Sequence, residues 1–227
     1  MALLIGLDPS YKEYGVAIID TEKKLITLDS FGEEINQRKN KTVLKAIPKL
    51  VEDVEIRLLS PLMMNQYNLI SVGMELDTAM TSRNQAICYA LDYATYDWIT
   101  HYTNDVNLYT TNYISTIQRE AFKEFTDNNS WLSFKNSTDK KIYTQHLATQ
   151  VLSYFYYEGW TIETKVIEKT ISGPKVNGRY IKTDMMSSGE ADAFIIALRQ
   201  FVKEGFKLSK NDLTLLLPKL EEDKEID

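Results

Sequence analysis

Apolar and polar positions change period several times along this chain, and each change marks an element. From Ala2 to Asp8 the residues are continuously apolar up to a terminal acid, Pro9 to Tyr14 turn, and Gly15 to Asp20 resumes a β-branched run. That pattern predicts a buried central strand with a hairpin partner, and Leu25 to Phe31 supplies a third strand. After a polar, basic break from Glu33 to Lys41, Val43, Ile47, Leu50, Val51, Val54 and Leu58 recur at helical spacing. Pro48 is a local irregularity in this helix, and Ser60-Pro61 is its expected stop. Leu69 to Leu76 is again continuously apolar, so the helix reads as a crossover onto a parallel strand.

Ser82 is the expected N-cap of a long helix reaching about Tyr102, with a stripe of Ala86, Ala90, Ala94 and Ile99, and with Tyr93, Tyr96 and Trp98 fitting either an exposed dimer interface or core packing. Val106 to Thr110 predicts a short strand, Tyr113 to Phe125 a helical stretch, Thr126 to Thr138 a polar segment, and Lys140 to Glu158 a further helix. Lys165 to Ile171 and Tyr180 to Thr183 flank Ser172-Gly173-Pro174 and Asn177-Gly178, the signature of a protruding hairpin. The last helix runs from about Gly189 to Gly205. The order βββαβαβα, with extra helices late, predicts a mixed α/β domain over residues 1–205 with a hairpin inserted at 162–183 and an extension at 206–227.

Composition narrows the class. A chain of 227 residues, 44% hydrophobic, is long enough for one substantial core. No apolar run approaches the roughly 18 residues of a membrane span. Asp8 interrupts the opening segment too early for a signal peptide, so a cytoplasmic protein without membrane partners is expected. Cys88, the single cysteine, shares an apolar helical pattern with Ala86, Ile87 and Ala90 and reads as a structural thiol. Intrachain disulfides and cysteine zinc sites are excluded.

The formal charge of −6 argues against a nucleic-acid partner until its distribution is considered. Glu221, Glu222, Asp223, Glu225 and Asp227, against Lys224, put −4 in the tail and leave −2 for the rest. Arg38, Lys39, Lys41, Lys45 and Lys49 form a basic stretch with no acid between them, and from Thr161 to Asp184 the bases Lys165, Lys169, Lys175, Arg179 and Lys182 stand against three acids. Each patch fits either a solvated face or a phosphate-binding surface.

Four acids stand out because they lie in apolar sequence: Asp8 closing LLIGLDPS, Glu75 closing LISVGMEL, and Glu190 and Asp192 in SSGEADAFIIAL. Carboxylates are rarely buried without partners, so convergence of these would make an oxygen-only site suited to Mg²⁺ or Mn²⁺. Alternation puts Leu4, Gly6 and Asp8 on one strand face, and Glu75 ends a strand expected to lie beside the first. Taken singly, Asp8 before Pro9 also fits an Asx turn, Glu75 an ion pair with a lysine, and Glu190 a partner for the helix dipole.

The opening LLIGLDPSYKEYG, the strand-end Glu in VGMEL followed by an Ala-rich helix, the segment KKIYTQHL and the closing EADAFIIAL together resemble the RuvC Holliday-junction resolvases, most closely their divergent phage-encoded relatives. The resemblance runs with gaps over most of residues 1–200. It implies a ribonuclease H-like fold, a mixed sheet with helices on both faces. It also implies a homodimer that hydrolyses phosphodiesters of four-way and three-way branched DNA with two Mg²⁺ or Mn²⁺ ions per site. By motif, Asp8 would bridge both ions, Glu75 would hold one and Asp192 the other, while Lys140 or Lys141 matches a basic position near the scissile phosphate. The family places another acid or histidine three residues before the last Asp, where this chain has Gly189. Glu190, two residues before Asp192, would sit about 200° away on a regular helix. Either the first turn is irregular and Glu190 reaches back, or the site has three carboxylates. Thr78 stands where some relatives present a base-stacking aromatic. A branched-DNA binding module without cleavage is the alternative expectation.

Overall fold

A computed structural model describes residues 1–32, 40–63, 67–75, 83–102, 106–111, 137–164, 167–170 and 182–206. The expected helix at Tyr113–Phe125, the hairpin tip, Ser82, Thr78 and the acidic tail lie outside the described residues.

The meander forms as its pattern predicts: β1 (Ala2–Asp8), β2 (Tyr14–Asp20) and β3 (Leu25–Phe31), with β1 antiparallel to β2 and β2 to β3. Tyr14 belongs to β2 rather than to the preceding turn. Helix α1 (Asn40–Met63) crosses over to β4 (Leu69–Glu75), which pairs parallel with β1. The helix runs past Ser60-Pro61, because a proline in a last turn removes only one backbone bond of a helix already ending. Helix α2 (Arg83–Tyr102) returns the chain to β5 (Val106–Thr111), parallel to β4.

Helix α3 (Ser137–Tyr157) is followed by a strand that the periodicity did not reveal, β6 (Thr161–Glu163), parallel to β3 at the sheet edge. Three residues are too short to carry a period, and their assignment to an inserted hairpin is corrected by this pairing. The hairpin proper is β7 (Ile167–Thr170) against β8 (Lys182–Met185), a separate two-stranded sheet. Helix α4 (Ser188–Lys203) ends the described chain.

The main sheet has the order β5-β4-β1-β2-β3-β6. Alternation in β1 sends Leu3, Ile5 and Leu7 into a core with Leu50, Val54 and Leu58 of α1 and Ile87, Leu91, Trp98 and Ile99 of α2. Ala2 and Leu4 join the opposite core, with Val151 and Phe155 of α3, Trp160, and Phe194 to Leu198 of α4. Helices thus cover both faces of the mixed α/β sheet. Trp98 is a core residue, not an exposed one; on α2 the outward aromatics are Tyr89, Tyr93 and Tyr96. Cys88 packs at the margin of the α1–α2 core, outside any disulfide. Among the described residues no helix is long and apolar enough to cross a membrane.

Candidate functional site

Helix α4 lies unusually close to the sheet, and the reason is in the sequence. A methyl group at Gly6 would collide with the Ala193 carbonyl and the Ala197 backbone, and one at Gly15 with the Gly189 carbonyl. Gly6 lies on β1, and Gly15 on β2 pairs with Asp8, so the first two turns of α4 pass directly over the end of β1. A side chain at either glycine would hold the helix away from the sheet.

The carboxylates can be placed on this frame. Leu4 and Gly6 face α4, so alternation puts Asp8 on the same face at the strand end. In β4, Ser71 donates a 3.3 Å hydrogen bond to the Gln200 side chain and Gly73 abuts Ile196 and Gln200, so Glu75 ends its strand on that face too. The register pairs Gly6 with Gly73 and Leu7 with Met74, which carries Asp8 and Glu75 to adjacent parallel strand ends. Asp192 stands one turn before Ile196, on the flank of α4 that meets β4. Asp8, Glu75 and Asp192 are all half-buried. Among the described residues no three carboxylate, imidazole or thiolate groups are close enough together to hold a metal ion. The three acids share a face and an end of the sheet.

Glu190 takes a different place. Ser187 is the N-cap of α4: its hydroxyl accepts from the Glu190 N–H at 3.1 Å, and the Glu190 carboxylate accepts from the Ser187 N–H at 2.8 Å. This capping box satisfies two otherwise orphaned donors. The Ser187 hydroxyl also bonds Ser30 of β3 at 2.8 Å, which fixes this flank of α4 toward β3 and away from Glu75. Burial pushes the Glu190 carboxyl above its usual range; the Ser187 bonds oppose this, and the nearby charges of Asp29 and Glu13 reinforce it. Glu190 is fully buried, and its Oε1 has no hydrogen-bond partner among the described residues. Glu190 thus serves the N-terminal cap of α4.

Lys140 and Lys141 lie in the first two turns of α3. One turn further on, the buried Gln145 side chain donates to the Met186 carbonyl at 3.0 Å, immediately before the Ser187 cap. The lysine-bearing end of α3 is thus fastened to the start of α4.

Tyr14, Asp92 and Lys12 were not marked out by the sequence pattern. Tyr14, fully buried beneath the sheet, donates to Thr95 Oγ1 at 3.2 Å. Burial drives its phenol far above the ordinary value, and the charges of Asp92 and Asp8 add to that. Asp92 is itself buried on α2, where its place in a polar-looking helix gave no signal. Lys12, exposed in the β1–β2 turn with its ammonium 5.8 Å from the Tyr11 ring centre, brings a cation to the loop that follows Asp8.

Among solved structures, the chain is similar to RuvC of Thermus thermophilus (TM-score 0.47, 13% identity, 89% of this chain and 96% of that one). It is also similar to T. thermophilus RuvC in complex with a Holliday junction substrate (TM-score 0.45, 14% identity, 90% and 97%). No family model and no curated protein matches the sequence.

Proposed function

We propose that this protein is a divalent-metal-dependent, structure-selective endonuclease that nicks Holliday junctions and other branched DNA. The observation that carries this reading is the placement of Asp8, Glu75 and Asp192, from distant parts of the chain, on one face at one end of the sheet beside α4. Their chemistry fits Mg²⁺ or Mn²⁺: three hard oxygen donors, half-buried, with no thiolate or imidazole among them. Asp8, Glu75 and Asp192 would hold the metal, in the two-ion arrangement of the resembled family, with Glu190 left to its cap. Bound divalent ions supply charge that acidifies an attacking water and neutralises a leaving oxygen in phosphodiester hydrolysis. Lys140 or Lys141 would contact the phosphate. Paired nicks across a junction call for two sites related by twofold symmetry, so the active form would be a homodimer.

A second reading, a branched-DNA binding module on the same fold, gains support from the diversion of Glu190 into the cap of α4. One experiment separates the two. Purified protein with Mg²⁺ or Mn²⁺ should cut synthetic four-way and three-way DNA but not linear duplex. Asp8→Asn and Asp192→Asn should bind the junction without cutting, and Glu190→Gln should still cut. Junction binding without cleavage by the unaltered chain would establish the binding module instead.

A further inference from the structure

We infer that Gly73, with Gly6 and Gly15, is a positioning residue for the metal site, setting the height of Asp192 above Asp8 and Glu75. The inference rests on the carboxylate reading just proposed. The three glycines come from three adjacent strands, and α4 meets them in order along its length: Gly189 over Gly15, Ala193 over Gly15 and Gly6, Ala197 over Gly6, and Ile196 and Gln200 over Gly73. Gly6 and Gly73 are register partners, and Gly15 is the partner of Asp8, so the row crosses the sheet diagonally and passes the Asp8 position. Asp8 carries a side chain on this face at the strand end, beside the track. At these three positions no side chain stands beneath α4, and at Gly6 and Gly15 the helix rests on backbone, so the rise of Asp192 above the strand ends is set there by the sheet itself.

Gly73 is the informative position. A methyl group at Gly6 or Gly15 meets backbone atoms, which cannot yield without moving the helix, whereas one at Gly73 meets the Gln200 amide and, at 2.6 Å, Ile196 Cγ2. Gly73→Ala therefore pushes on the flank that carries Asp192 while leaving most of the core intact. Ile196 is one turn from Asp192 on that flank. An ordinary packing role predicts lost stability alone; a positioning role predicts lost metal affinity in protein that is still folded.

The test is calorimetric titration of Mn²⁺ into the full chain, well below the unfolding temperature and with folding checked by circular dichroism. It compares the unaltered protein, Gly73→Ala, Gly73→Ala/Gln200→Ala, and Val72→Ala, whose side chain is buried on the opposite face of β4. Gly73→Ala should weaken Mn²⁺ binding by about 10–100-fold, the range for residues that orient ligands without touching the ion. Val72→Ala should leave the affinity unchanged. Shortening Gln200 in the double variant should recover part of the loss; if Gly73→Ala alone does not fold, the double variant carries the comparison and should bind more weakly than the unaltered protein. Equal affinity in the folded glycine variants and the unaltered chain overturns the inference and leaves the site reading standing. No Mn²⁺ binding by the unaltered chain overturns both.

Discussion

The two faces of the sheet are built on opposite principles. The α1–α2 face is filled with large apolar side chains: Leu3, Ile5 and Leu7 of β1 meet Leu50, Val54 and Leu58, and Tyr14 stacks on Phe31 with ring centres 5.2 Å apart. Arg57 closes that face, its guanidinium 4.0 Å from the Phe31 ring centre and its Nε 2.6 Å from Asp29. The α4 face instead brings backbone against backbone through Gly6 and Gly15, and its polar groups, Ser71, Gln200, Ser187 and Glu190, are buried. The α1–α2 face, the thick one, can lose atoms and relax; the α4 face, thin where Gly6 and Gly15 meet the helix although Phe155 and Phe194 pack further along it, cannot gain any there. Every candidate carboxylate with an assigned face lies on the thin side, where element spacing is least negotiable.

The sharpest way to break this contrast is to compare Gly6→Ala with Leu7→Ala, neighbours that point to opposite faces. Leu7→Ala leaves a cavity and should cost about 2–5 kcal/mol. Adding one methyl at Gly6 should cost about 3 kcal/mol or more, at or above the usual range for overpacking, because its contacts are backbone. Urea denaturation midpoints decide it; a Gly6→Ala loss below about 1 kcal/mol would erase the distinction between the faces.

A smaller effect tests the cap that holds α4 in place. Ser187→Ala removes the hydroxyl that joins the Glu190 N–H to Ser30 and should cost about 0.5–2 kcal/mol. The loss should appear in thermal unfolding with the described fold retained; no change would mean that the box does not anchor the thin face.

The smallest effect is a pair of opposed pH dependences. Glu190 holds its proton more tightly when folded, so its contribution is full below the unfolded value of 4.5 and declines as pH rises through the higher folded value. Asp20, at the other end of the sheet, behaves oppositely. Burial pushes its carboxyl up, but bonds from Tyr67 (2.5 Å) and from the Lys23 and Glu22 N–H groups (3.1 and 3.0 Å) together lower it. Its contribution is present above the unfolded value of 3.8 and lost as pH falls through the folded one. Stability measured from pH 3 to pH 7 should lose its alkaline-going decline in Glu190→Gln and its acid-going decline in Asp20→Asn. A Glu190→Gln profile that superimposes on that of the unaltered chain would mean that burial of this carboxyl has no consequence for folding.

Much of the fold was legible because strands buried on both faces read as continuous apolar runs, as in β1 and β4, and because α1 carries a clear helical period. β6 was not legible, since three residues hold no period and its pairing with β3 is a long-range event. Asp8, Glu75 and Asp192 could be singled out by their strand-end and helix-start settings, but their shared face depends on Gly6, Gly15 and Gly73, whose meaning appears only when α4 is laid over them. Glu190 was ambiguous in sequence because S-S-G-E is a capping box, a pattern whose chemistry is local and silent about any ion. Exposure and core packing were both open for Tyr93, Tyr96 and Trp98 because α2 carries aromatics on both sides, and only packing distinguishes them.

The two cores also differ in a way that light can follow. Trp98 belongs to the α1–α2 side, and Trp160, set edge-on to Phe155 with centroids 5.0 Å apart, belongs to the α3–α4 side. The chain has one further tryptophan, Trp131. With Trp131 and either of the others replaced by Phe, the remaining indole becomes a spectroscopic witness to a single layer, so the melting of the thick and the thin half of the molecule can be watched independently.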